Sequence, residues 1–132
     1  MRKLNPSFFP YRIDASKNMF PVVPLSLEFG AKKKEFFALV DSGATVSIFR
    51  SEVAESLGIN IEKGKEIYLG GVGGRIRGYL HRLKIEVAGK RFICPIVFSR
   101  DYLVSFNLLG RQGFFKRFRI TFEEKKNYLK LE

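Results

Sequence analysis

Tryptophan is absent from this chain of 132 residues, cysteine and histidine occur once each, and methionine occurs twice. A single Cys94 excludes an intrachain disulfide. It stands in an apolar run, Phe92-Ile93-Cys94-Pro95-Ile96-Val97, so a buried core thiol is expected. A single His81 argues against Ser-His or Cys-His nucleophilic catalysis and leaves no zinc-ligand spacing. No metal or cofactor is expected. Long apolar runs are also missing, so no membrane-spanning segment is read. Arg2 and Lys3 are not followed by a continuous apolar stretch, which argues against a secretory leader and gives a cytoplasmic expectation.

Acidic residues are scarce. Thirteen Asp and Glu stand against 24 Lys and Arg, giving a net charge of +11 and a pI near 10.0. Such a balance suits an acidic partner or nucleic acid. The basic residues are spread along the chain without a nucleic-acid-binding signature, so a self-repelling basic surface is the simpler reading. What the chain has in plenty is Phe, with fourteen, beside five Tyr, in a sequence that is 45% hydrophobic. That is enough for one domain with a real core, and it suits strands better than a helical bundle.

Along the chain, residues 1–21 read as an irregular arm, interrupted by Pro6, Pro10 and Pro21. The domain proper is expected over 22–132. Residues 22–29 alternate as a strand, with Val23, Leu25, Leu27 and Phe29 on one face. A hairpin turn at 30–33 leads into a strand over 35–40, and a further short strand is expected over 46–49. Ser51 is the expected N-cap of a short helix over 52–57, with Gly58 as its stop. Strands are expected over 65–69 and 75–87 around a glycine cluster, and over 91–98 after a turn at 88–90. A short helical stretch over 111–116 precedes terminal strands over 117–122 and 128–131. Many short strands with one or two short helices give an all-β, mostly antiparallel domain.

One motif carries chemistry. Asp41-Ser42-Gly43 follows the apolar run Phe36-Phe37-Ala38-Leu39-Val40 and continues as Ala44-Thr45-Val46. A lone Asp-Ser-Gly is an ordinary turn. Placed directly after an apolar strand, it resembles the active-site loop of the aspartic proteases. The chain is too short for two such loops, so it is similar to the single-lobe, retroviral-type (retropepsin-like) branch, with its β-barrel fold.

That resemblance implies that Asp41 is catalytic. It implies that the Ser42 hydroxyl locks two loops across a dimer and that the Gly43 backbone meets substrate, with Ala44 and Thr45 completing the loop. Many retroviral members carry Thr at the Ser42 position, so the hydroxyl is kept on a less restricted side chain. Some carry Asp where Thr45 stands, and its absence removes one charge from the substrate backbone. The glycine cluster Gly70-Gly71-Val72-Gly73-Gly74 matches the position of the family's flap, where glycine permits the hairpin to open. Leu108-Leu109-Gly110-Arg111 resembles the apolar-apolar-Gly segment that threads beside the catalytic loop, with Arg111 bracing it.

The chemistry explains why a homodimer is expected. Peptide hydrolysis by carboxylates needs one group as base and another as acid. Two neighbouring carboxyls share a proton because both cannot ionise cheaply. One Asp41 cannot do this alone, and a two-fold axis beside it supplies the second. An extended peptide would bind under the flap, with Val46, Ile48, Val72 and Ile76 as candidate pocket residues. Asp14 and Asp101 lack a following Ser/Thr-Gly and read as turn or surface groups. Two alternatives stay open: a non-catalytic peptide- or partner-binding module on the same fold, and a less favoured basic β-barrel binding nucleic acid. The arm also holds Phe9-Pro10 and Phe20-Pro21, bonds of a type that retroviral-type proteases cut. Self-processing there is set against simple packing of the arm onto the barrel.

Overall fold

The computed structural model describes residues 5–71 and 74–132. The strands are β1 (Ser7–Pro10), β2 (Arg12–Ile13), β3 (Met19–Phe20), β4 (Val22–Phe29), β5 (Lys32–Val40) and β6 (Ser47–Arg50). Then follow helix α1 (Ser51–Leu57), β7 (Lys65–Gly71), β8 (Gly74–Val87), β9 (Lys90–Ser99), β10 (Asn107–Leu109), β11 (Ile120–Glu123) and β12 (Tyr128–Leu131). Short 3-10 turns lie at Ile61–Lys63 and Phe115–Arg117. The all-β class is as the composition suggested. No helix among the described residues is long and apolar enough to cross a membrane.

The main sheet has the order β4-β5-β10-β6-β9-β8-β7. β4 also pairs with β8, from Ser26 opposite Glu86 to Glu28 opposite Lys84. That extra pairing closes β4 onto β8 to make a barrel and covers the outer edge of β4. β5 runs antiparallel to β4 and parallel to β10. The alternation in β4 buries Val23, Leu25 and Leu27. They pack with Phe49, Leu57, Ile85, Ile96 and Phe98 in one core. Burying each such side chain contributes roughly 1.5–3 kcal/mol, which offsets the entropy of ordering it. Cys94 lies in this core with no exposure, and burial pushes its thiol up to about 11.

Four local expectations are corrected. The β4–β5 hairpin turn is shorter than expected, because β5 already begins at Lys32 and pairs it with Phe29. Arg50, not Ser51, is the N-cap of α1, in extended conformation, and no side chain caps it. The chain passes from β6 straight into the helix, so Ser51 is already helical. Gly58 ends α1 in the left-handed conformation, as expected. The stretch expected to be helical over 111–116 is turns and a 3-10 turn, and β11 begins at Ile120 rather than at 117.

Residues 7–20 are not irregular. β1 lies antiparallel to β12, with Phe9 opposite Leu129 and Pro10 opposite Tyr128. β11 covers the other edge of β12, giving the three-stranded order β1-β12-β11. The terminal strand is therefore the centre of a sheet within its own chain. β2 and β3 form a small hairpin. Tyr11 is buried in the core, and its hydroxyl donates to the Glu124 carboxylate at 2.7 Å. Burial first, and then Glu124, push its phenol well above the ordinary range.

Candidate active site

Asp41 stands at the end of β5, where the strand hands over to a tight turn. Its amide donates to the Leu109 carbonyl at 3.0 Å. The parallel β5–β10 register sets this up, with Leu109 opposite Val40. One carboxylate oxygen, Oδ1, accepts the Gly43 amide at 2.9 Å. The Asp41 carbonyl accepts the Ala44 amide at 3.2 Å. The side chain is thereby oriented by its own loop. Asp41 is half-buried, while Ser42, Gly43 and Thr45 are exposed and Ala44 is half-buried.

Backbone of the segment that follows β10 holds this loop. Arg111 and Gln112 donate their amides to the Ala44 and Thr45 carbonyls at 2.8 and 2.9 Å. The Gly110 amide donates to the buried Ser47 hydroxyl at 3.0 Å. A Cβ at Gly110 would collide with the Val46 and Ala44 carbonyls. The crossing strand must therefore carry glycine there for the two backbones to touch. Arg111 itself is exposed.

Asp41 opens onto a concavity shared with Phe20, Pro21, Ser42, Phe122 and Glu124. Pro21 is held by its carbonyl, which accepts the Val40 amide at 2.9 Å. Tyr102, in the loop before β10, also lies within the field of Asp41. Its phenol rises to about 12, first through burial and then through the Asp41 charge. The Tyr102 hydroxyl donates to the Phe106 carbonyl at 2.7 Å. Phe106 in turn packs on Phe20, ring centroids 5.0 Å apart. Tyr102 and Phe106 carry no sequence signal beyond being aromatic, and Phe20, read above only as part of Phe20-Pro21, is brought beside Asp41 by the fold.

β7 and β8 form a two-stranded ribbon, paired from Lys65 opposite Leu80 to Gly71 opposite Gly74. Val72 and Gly73, named above for the flap, lie outside the described residues. Leu69 and Ile76 are half-buried cross-strand partners, while Gly70 and Arg75 are exposed. Val46 and Ile48, which follow the Asp41 loop in the chain, are half-buried. Asp14 is a turn group, its Oδ1 accepting the Ser16 and Asn18 amides. Asp101 is an exposed turn residue, as expected, and its Oδ2 also accepts the Arg77 amide at 3.2 Å.

The model of the aspartyl protease family matches residues 23–112. This span contains both Asp41 and Gly110. The chain belongs to that family. It is 36% identical over 84 residues to Protein DDI1 homolog 1 of Caenorhabditis elegans, a match covering 58% of this chain and 22% of that protein. The match therefore spans less than a quarter of the relative. Among solved structures, the chain is similar to a retropepsin-like aspartic protease from Rickettsia conorii. The TM-score is 0.70 at 20% identity, covering 98% of this chain and 100% of that one. It is also similar to the EIAV protease complexed with the inhibitor HBY-793. There the TM-score is 0.56 at 19% identity, covering 70% and 82% of the two chains. The fold is retropepsin-like.

Proposed function

We propose that this protein is an aspartic endopeptidase whose active site is completed by a second copy of the chain. The observation that carries the reading is Asp41: a half-buried carboxylate, oriented by the Gly43 amide, at the end of a strand locked to β10. The other Asp residues of the chain do not supply its partner. Asp14 is engaged in its own turn and Asp101 at the root of the β7–β8 ribbon. A two-fold axis beside Asp41 brings in the same residue of a second copy, and the pair shares one proton.

In this mechanism a water lies between the two carboxyls. The ionised one takes its proton as the oxygen attacks the peptide carbonyl, and the protonated one gives its proton to the developing oxyanion. The tetrahedral species then collapses with proton transfer to the leaving nitrogen, and no covalent enzyme intermediate forms. Substrate lies extended under the β7–β8 ribbon, adding strand-like backbone bonds. Val46, Ile48 and Ile76 favour bulky apolar residues beside the cut.

The test is subunit mixing. Wild type is titrated with excess Asp41→Asn protein, and peptide cleavage is followed at mildly acidic pH. A shared site gives progressive loss of activity as mixed dimers form, and a bell-shaped pH profile. Activity that stays proportional to wild type at every ratio, with a monomer mass in sedimentation, refutes the shared site.

A further inference from the structure

The geometry points to Asp101 as a positioning residue that holds the root of the β7–β8 ribbon and so sets how that ribbon closes on substrate. The inference rests on reading the ribbon as the flap of the proposed peptidase.

β8 is flanked on both sides only in part. Its pairing with β9 ends at Tyr79 opposite Phe98. Its pairing with β7 continues to Gly74. From Gly78 outward the ribbon has therefore left the barrel with two strands. At that departure point, side chains take over from the missing backbone ladder. The Arg77 amide donates to Asp101 Oδ2 at 3.2 Å. The Arg77 carbonyl accepts the Ser99 hydroxyl. The Asp101 amide donates to Ser99 Oγ at 3.1 Å, which joins the two contacts into one clasp. Ser99 is fully buried, whereas Asp101 is exposed.

The turn that carries the clasp is itself held. Arg100 pairs with Glu62 at 3.0 Å and with Glu55 of α1 at 3.3 Å. Each exposed pair contributes little alone, but the two share one guanidinium and fix the turn from two elements. One short turn thus meets both the ribbon root and the helix. A ribbon that opens must bend where the ladder stops, and the clasp is at that place. Removing the acceptor at 101 frees the Arg77 amide and widens the range of ribbon positions. Closure over substrate then costs more, while the carboxylate chemistry is untouched. The effect falls on KM rather than on kcat.

The experiment compares wild type, Asp101→Ala and Asp101→Asn. Amide hydrogen exchange of residues 76–78 is measured without substrate, and peptide cleavage is measured in parallel. Asp101→Ala is expected to speed exchange and raise KM roughly three- to tenfold, the loss of one modest hydrogen bond, with kcat little changed. Asp101→Asn keeps a carbonyl oxygen at the same place and is expected to restore most of both. Unchanged exchange in Asp101→Ala, faster exchange with unchanged KM, or an Asn variant that behaves like Ala each overturns the inference. If wild type cleaves no peptide, the proposed function fails, and the exchange comparison still decides whether the clasp holds the ribbon.

Discussion

The amide of Asp41 donates to the carbonyl of Leu109 at 3.0 Å, so the catalytic-loop candidate begins while still tied to the strand beside it. The backbone is fixed by this bond and the carboxylate by the Gly43 amide. Neither bond needs the acid function of the side chain. Asp41→Asn keeps the shape and an acceptor oxygen, but it removes the base. Cleavage is expected to fall by at least about 10²–10⁴-fold, with the unfolding midpoint nearly unchanged. Peptide assays beside thermal unfolding check this, and an Asn variant with wild-type activity would falsify the assignment.

Gly110 gives a sharper structural test. A Cβ there would meet the Val46 and Ala44 carbonyls, which are backbone atoms and cannot swing aside. Gly110→Ala is expected to push β10 away from the loop. It should break the Arg111 and Gln112 amide contacts and destabilise the fold by roughly 1–3 kcal/mol, the usual range for overpacking. Denaturant unfolding measures this directly. Activity should fall further than stability, because Asp41 hangs from the same strand pair.

Much of this arrangement was legible in the sequence, and the boundary of what was legible is physical. The Asp41 loop and the Gly58 helix stop are local patterns, and each sits where its residues indicate, whereas the β4 alternation holds for Val23, Leu25 and Leu27 but leaves Phe29 exposed at the end of the strand. Pro6, Pro10 and Pro21 suggested an irregular arm because proline cannot donate to a ladder. On an edge strand that missing donor costs nothing, and β1 is an edge. Its partner β12 begins more than 100 residues later in the chain, a pairing no local pattern announces. Asp101 is the turn or surface group it reads as, but its bond to the Arg77 amide, 24 residues away, has no local pattern to announce it. Ser51 has the chemistry of an N-cap, yet the helix starts one residue early because β6 delivers the chain already aligned.

Stability should depend on pH through the barrel closure. Lys33 of β5 and Glu86 of β8 meet at 3.0 Å across β4, the strand that pairs with both. The Lys33 hydrogen bond, and then its charge, lower the Glu86 carboxyl below its ordinary 4.5. A lowered folded value means the contribution is present above the unfolded value and is lost as pH falls through the folded one. Glu86→Gln is therefore expected to lower Tm slightly at neutral pH, and the two proteins should converge well below pH 4.5. Added salt should shrink the neutral-pH difference, since both groups are exposed. A Tm gap that persists in acid would show that the bridge is not its source.

The arm gives the last expectation. Phe9-Pro10 and Phe20-Pro21 are bonds of a kind that retroviral-type proteases accept, but a peptide must be extended and unpaired to enter a cleft. Phe9 and Pro10 are paired with Leu129 and Tyr128 in β1. The next residue, Tyr11, is anchored by burial and by Glu124. Phe20 ends β3 and packs on Phe106, and the Pro21 carbonyl is bonded to the Val40 amide. Cutting either bond would first require the arm to detach from the core, giving up the burial of Tyr11. That side chain alone contributes roughly 1.5–3 kcal/mol. The packed reading of the arm is therefore favoured over self-processing. Intact mass after prolonged incubation at mildly acidic pH is expected to stay at full length in wild type, as in an Asp41→Asn control. Tyr11→Ala should loosen the arm, and it is the variant in which a truncated species would appear first. Processing of wild type at either bond, absent from the Asp41→Asn control, would show that the arm opens far more readily than its packing implies.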